Sequence, residues 1–171
     1  MTPLPTRVAL VATLFLTVAA LASVEEARRG GALSAGDVAP PLWLLTGLFS
    51  LRVGGQVLVA LRAPRWLPPM GDWNLTPYRL LLPTQLLLLG GMTWIGLSFS
   101  TGSPPVVSHH ELLGSALIAA GALYAGSMAY RYTIRMRRRP GARWFGGTIP
   151  IVFHVVLAAY LTTLGAFYAG R

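Results

Sequence analysis

The chain has no cysteine and no lysine, and only five of its 171 residues are acidic. The absence of cysteine excludes disulfides and thiolate metal sites. Because lysine is absent, all fourteen basic residues are arginines, whose charge is permanent. Charged residues make up 11% of the chain, whereas a soluble domain carries about 25%. A surface facing water would lack polar groups, so the composition indicates a protein whose solvent is lipid.

Five apolar runs are long enough to cross a membrane, which takes about 20 mostly apolar residues in a helix. Short connectors join them, so we predict an all-α fold with a single transmembrane domain over residues 1–171 and no separate soluble domain. The predicted spans cover residues 8–24, 42–61, 80–99, 112–132 and 148–168.

The first run also resembles a secretory signal peptide. A short basic segment precedes it, and Ala20-Leu21-Ala22 resembles a small-residue cleavage site. We expect this run to be retained as the first helix. The following connector, residues 25–41, is rich in Gly, Ala and Ser, and we expect it to be irregular or a short surface helix.

Arginine placement predicts the orientation in the membrane. Two connectors are basic, and they alternate with two that are neutral or acidic, as the positive-inside rule requires. We therefore predict a multi-pass protein of the bacterial inner membrane, with its N-terminus in the cytoplasm and its C-terminus outside. The basic connectors carry Arg62, Arg65 and Arg79 against Asp72, and then Arg131, Arg135, Arg137, Arg138, Arg139 and Arg143; the others carry Glu25, Glu26, Arg28, Arg29 and Asp37, and then Glu111.

The second basic connector predicts a cytoplasmic patch that binds anionic lipid headgroups or an acidic partner, at about 1 kcal/mol per arginine. Nucleic-acid binding is not expected, because the arginines flank apolar runs rather than forming a soluble basic face. The predicted patch consists of Arg135, Arg137, Arg138, Arg139 and Arg143.

Arg52 lies about ten residues into the second run, which places it about 15 Å deep and near the middle of a bilayer. An arginine there costs at least ~2.5–3.5 kcal/mol, and all five acids lie in connectors. We expect Arg52 to interact with backbone carbonyls and water, with Gln56 or Gln85, or with a bound lipid, a cofactor or a neighbouring subunit. A structural role and a ligand-binding role both remain open.

The second run has two distinct faces at 100° per residue. Arg52 and Gln56 share one face, and the small residues Gly47, Ser50 and Gly54 share nearly the opposite face. Small residues let helices approach closely. This pattern predicts protein on both sides of the run, at the centre of the bundle or at a subunit interface.

His154 shares a small, polar face of the fifth run with Ala158, Thr162 and Gly165. Three interpretations remain open: a hydrogen-bonded histidine in helix packing, an axial ligand to haem or a chlorophyll-type pigment, and a proton relay. His109, His110 and Glu111 do not predict a metal site, because adjacent helical residues point in different directions.

The fourth run is dense in Gly, Ala and Ser, with small residues spaced four apart. Such spacing is typical of close helix packing, and we expect this helix to be buried against several others. The spaced pairs are Ser115 with Ala119 and Ala122 with Gly126.

No catalytic motif is present, and no carboxylate lies inside a span. The missing carboxylate argues against a cation-coupled transporter or proton pump of the usual kind. The first hypothesis is a non-catalytic subunit of a larger respiratory or photosynthetic membrane complex, with other membrane subunits and anionic lipids as partners. The alternatives are a membrane enzyme or carrier for an anionic lipid-like substrate, or a pigment or haem carrier. The candidate binding residues are Arg52, Gln56, Gln85 and His154.

Overall fold

A computed structural model describes residues 4–62, 67, 78–106, 110–138 and 149–170. These residues form five α-helices, all of which are long and apolar enough to cross a membrane. The all-helical fold and the five apolar helices predicted from the sequence are confirmed. The helices are α1 (Leu4–Gly30), α2 (Ala35–Arg62), α3 (Tyr78–Ser100), α4 (Glu111–Arg138) and α5 (Ile149–Ala169).

The first connector is shorter than expected from the sequence. Residues 31–34 alone separate α1 from α2, so the prediction that residues 25–41 are irregular or a short surface helix is wrong. Ser34 and Asp37 form a reciprocal capping box: the Ser34 N–H donates to Asp37 Oδ2 at 2.9 Å, and the Asp37 N–H donates to Ser34 Oγ at 3.2 Å. This cap starts α2 seven residues before the predicted apolar span.

Helices α2 and α5 form the centre of the bundle. They pack on each other, and α1 packs on both of them. On the remaining surfaces, α3 packs on α2 and α4 packs on α5, but α3 and α4 do not pack on each other. Helix α2 thus contacts α1, α3 and α5, which agrees with the prediction that the second helix lies at the centre of the bundle.

Close backbone approach holds α4 against α5. A Cβ added at Gly121 would lie 2.6 Å from Thr162 Oγ1 and 2.9 Å from the Ala158 carbonyl oxygen. A Cβ at Gly165 would lie 2.7 Å from Ile118 Cγ1. The two helices run antiparallel, and the small, polar face predicted on α5 is the face that contacts α4.

Polar and aromatic contacts connect α3 to both central helices. The Trp43 indole N–H donates to Ser100 Oγ at 2.9 Å, and its ring lies over Gly96. The buried Tyr160 hydroxyl of α5 donates to the Met92 carbonyl oxygen at 3.0 Å. These contacts set the level of α3 along the bundle.

Helix α4 is the least enclosed of the five. Within the described part of the chain it packs on α5 alone, and most of its span is exposed. The expectation that α4 would be buried against several helices of this chain is therefore wrong. Its small residues divide into a buried set against α5 and an exposed set on another face.

Gly121 and Gly126 provide a matched test of this packing. We expect Gly121→Ala to destabilise the bundle by about 1–3 kcal/mol, because the added methyl group meets backbone and Thr162. Gly126→Ala should be neutral or stabilise by up to ~1 kcal/mol, because its Cβ would meet nothing within 4 Å and alanine favours helices. Unfolding in mixed detergent–SDS micelles measures both. Equal stability of the two variants would contradict the close approach of α4 and α5.

Candidate functional site

The four residues predicted as a binding site come from three helices. Arg52 and Gln56 lie on α2, Gln85 lies on α3, and His154 lies on α5. The three longest polar side chains are almost completely enclosed, at 3% exposed for Arg52, 1% for Gln56 and 6% for Gln85. His154 is half-buried. The polar face predicted for α2 is thus buried inside the bundle.

Arg52 and His154 meet at the seam between α2 and α5. Arg52 Nη1 lies 3.5 Å from His154 Nδ1, a long hydrogen bond. Arginine carries donors only, so in this contact Nδ1 is the acceptor and the imidazole proton resides on Nε2. The Arg52 Cζ atom also lies 5.7 Å from the centroid of the Phe153 ring, within cation–π range. Two adjacent aromatic residues of α5 therefore contact one guanidinium.

Tyr124 of α4 completes this group and was not predicted from the sequence. Its ring centroid lies 5.4 Å from that of His154, whose Nδ1 contacts Arg52. Its sequence signal is weak but present, because Tyr124 is the one aromatic residue in a long run of small and aliphatic residues. Side chains of α2, α4 and α5 thus converge around Arg52.

Gln56 and Gln85 are buried amides with unused hydrogen-bonding groups. Among the residues that the structure describes, none forms a hydrogen bond with Gln56 Nε2 or with Gln85 Oε1. An unsatisfied buried group of this kind costs about 1–3 kcal/mol. Two apolar residues of similar size would avoid that cost, so packing alone does not account for the two amides.

The two amides lie at about the same level of the bundle. Trp43 of α2 contacts Gly96 and Ser100 of the antiparallel α3. Gln56 lies thirteen residues after Trp43, and Gln85 lies eleven residues before Gly96 and fifteen before Ser100. Equal numbers of residues along two antiparallel helices cover equal distances. Gln56 and Gln85 are therefore level with each other, one turn away from Arg52.

No protein-family model, curated protein or solved structure matches the chain. Function is therefore inferred from the side chains and helix surfaces themselves.

The arrangement suits binding better than covalent chemistry. It combines a permanent cation, two amides and the rings of Phe153 and Tyr124, none of which is a strong nucleophile or a general base near neutral pH. The imidazole of His154 can act as a general base, but Arg52 contacts its Nδ1. Among the residues that the structure describes, no group of three or more His, Asp or Glu side chains could hold a metal ion. His110 instead caps α4, where its Nδ1 accepts a hydrogen bond from the Leu113 N–H at 3.3 Å.

The predicted arginine patch is described only in part. Arg137 and Arg138 are exposed at the C-terminal end of α4. Arg139, Arg143 and the side chain of Arg135 lie outside the described residues, as do Arg65, Asp72 and His109.

Haem or pigment ligation by His154 is not favoured by this geometry. Arg52 contacts Nδ1, and the tautomer that accepts this contact carries a proton on Nε2, the other atom that could coordinate a metal. We expect the purified protein to show no visible or near-ultraviolet haem or pigment band, and His154→Ala to leave the absorbance spectrum unchanged. A band present in the native protein and lost in His154→Ala would refute this expectation.

Proposed function

We propose that this chain is a non-catalytic integral subunit of a larger complex in the bacterial inner membrane, where it packs against and stabilises partner subunits. The observation that carries the proposal is a stripe of small residues on α4 that none of the five described helices covers. That the complex is respiratory or photosynthetic stays a prediction from the sequence.

The α4 stripe consists of Ser115, Ala119, Ala122 and Gly126. Their spacing of four, three and four residues places them on one face of the helix, and all four are exposed. A Cβ at Gly126 would meet nothing within 4 Å. Glycine costs about 1 kcal/mol relative to alanine inside a helix, so an open lipid-facing position gives no reason for it.

Membrane helices commonly associate through small residues that are spaced in this way. Apolar side chains gain little by leaving lipid for another helix, so association depends on close backbone contact and on polar contacts. The same kind of contact already joins α4 to α5 inside this chain, through Gly121 and Gly165. We infer that the α4 stripe receives a transmembrane helix of a different subunit.

Exposed glycines on two other helices support further partner contact. Gly47 and Gly54 on α2, and Gly90 and Gly91 on α3, are exposed, with open space where a Cβ would be. The face of α2 opposite Arg52 was predicted to be covered by protein, and none of the described helices covers Gly47 or Gly54. A partner subunit would complete the predicted environment of α2.

Charge at the helix ends supports the predicted orientation. Helices α2 and α4 both run antiparallel to α5, so their C-terminal arginines, Arg62 and Arg138, lie at the same end of the bundle. At the end of α1, Glu25 pairs with Arg28 at 2.8 Å and with Arg29 at 3.1 Å, which offsets positive charge there. We propose that the end with the excess of arginine is cytoplasmic, which places the N-terminus inside and the C-terminus outside.

Because the chain has no cysteine, single introduced cysteines can report its orientation without background. Ala32→Cys lies in the connector between α1 and α2, and Ala142→Cys lies in the arginine-rich connector of the sequence. We expect a membrane-impermeant maleimide to label Ala32→Cys in cells whose outer membrane alone is permeabilised. Ala142→Cys should be labelled only after the inner membrane is opened. The reverse pattern would invert the proposed orientation.

The subunit proposal is tested by placing the same bulky residue on and off the α4 stripe. Ala119→Leu puts three extra carbons into the stripe, and Ala116→Leu puts them on an exposed neighbouring face. We expect the tagged native chain and Ala116→Leu to co-elute with other membrane proteins in mild detergent. Ala119→Leu should elute without them while keeping its thermal stability.

Two results would count against the subunit proposal. The first is a native chain that elutes as a folded monomer or as a self-associated dimer, with no other protein bound. The second is equal retention of partners by Ala119→Leu and Ala116→Leu, which would move the contact away from the α4 stripe.

A further inference from the structure

The cluster of buried polar side chains near Arg52 contains hydrogen-bonding atoms that the described contacts leave unused. Gln56 Nε2 is a donor and Gln85 Oε1 is an acceptor, and both are buried without a partner. Gln56 follows Arg52 by one helical turn, so the amide and the guanidinium share a face of α2. A group that satisfies both amides must accept one hydrogen bond and donate another.

The charge of Arg52 selects among such groups. A permanent positive charge one turn from a free amide donor favours an acceptor that is negatively charged, because a charged acceptor forms the stronger hydrogen bonds. The acceptor at Gln85 then requires a hydroxyl or a protonated oxygen on the same ligand. A phosphate diester that carries a hydroxylated headgroup has both features.

The packing of the helices indicates from which side the ligand arrives. Helix α3 packs on α2 and α4 packs on α5, but α3 and α4 do not pack on each other. The α2–α5 seam, which contains Arg52 and His154, therefore lies between them. Arg52 precedes the end of α2 at Arg62 by ten residues, a depth of about 15 Å. A ligand at that depth, approached between two membrane-spanning helices, is most readily supplied by the lipid phase.

We propose that Arg52, Gln56 and Gln85 form a binding site for an acidic phospholipid with a hydroxylated headgroup, whose phosphate oxygen accepts from Arg52 and Gln56 and whose hydroxyl donates to Gln85. His154 and Phe153 of α5 hold the guanidinium in place, and Tyr124 of α4 packs against the His154 ring. This lipid role is separate from the subunit role, since it uses the buried seam rather than the α4 stripe.

The test uses the full chain, purified and fully delipidated, with three added probes. Phosphatidylglycerol carries the phosphate and the hydroxyls, phosphatidylcholine carries the phosphate without net charge or hydroxyl, and glycerol 3-phosphate is the water-soluble counterpart. We expect phosphatidylglycerol to remain bound in native mass spectrometry and to raise the unfolding temperature by several degrees. The other two should do neither. An equal effect of phosphatidylcholine would overturn the site, and an equal effect of glycerol 3-phosphate would overturn the assignment to a lipid.

Gln56→Leu and Gln85→Leu distinguish a lipid site from a buried pair of amides held by water. Each removes an unsatisfied polar group at nearly constant volume, so the delipidated fold should be as stable as before or more stable. Each should weaken phosphatidylglycerol binding about tenfold or more, because a hydrogen bond to a charged group is lost.

Arg62→Gln is the matched control, since it removes an exposed arginine from the end of the same helix. We expect Arg62→Gln to keep most of the phosphatidylglycerol effect. Unchanged lipid binding in both glutamine variants, or a loss in Arg62→Gln as large as theirs, would overturn the proposal. Ala119→Leu should keep the phosphatidylglycerol effect, so the lipid proposal and the subunit proposal can be refuted independently of each other.

Discussion

Close approach of backbones is the constraint on which this bundle depends. In an apolar solvent, apolar side chains gain little by leaving lipid for one another, so helices associate through small residues and polar contacts. The α4–α5 contact uses glycine for this purpose, and a single added carbon at Gly121 or Gly165 would collide with the facing helix. That close contact brings Tyr124 against His154, and through His154 it fixes the surroundings of Arg52. The polar contacts of Arg52 at the α2–α5 seam therefore depend on two glycines, Gly121 and Gly165, that have no polar side chain themselves.

Much of this architecture could be predicted from the sequence, because lipid imposes simple rules. Run length predicted five helices, and helical periodicity placed Arg52 and Gln56 on one face of α2, where both are buried. Arg52 and His154 were predicted to belong to one binding site, but their direct contact was not predicted. Periodicity gives the face of one helix but not its rotation and height relative to another, and these depend on contacts such as those of Gly121 and Trp43.

The features missed from the sequence have local physical causes. The early start of α2 follows from the Ser34–Asp37 capping box, a short-range signal outside the apolar run that defined the span. Tyr124 was missed because an aromatic ring in an apolar helix is most often a packing or lipid-facing residue, and only the neighbouring helix shows otherwise. The small residues of α4 that pack on α5 are Gly114 and Gly121, whereas the pairs predicted to pack, Ser115 with Ala119 and Ala122 with Gly126, are exposed. Composition gives neither the face that packs nor whether a packing partner belongs to the same chain.

The division of α4 into two small-residue faces links the fold to the proposed roles. Gly121 lies on the face that must contact α5, since nothing larger fits there, whereas Gly126 faces open space where any residue would fit. A helix under selection only for its internal contact would keep glycine on the first face and acquire larger apolar residues on the second. Small residues on the exposed face are therefore what the proposed second helix contact would require, and that contact would leave the α2–α5 seam on a different side of the bundle.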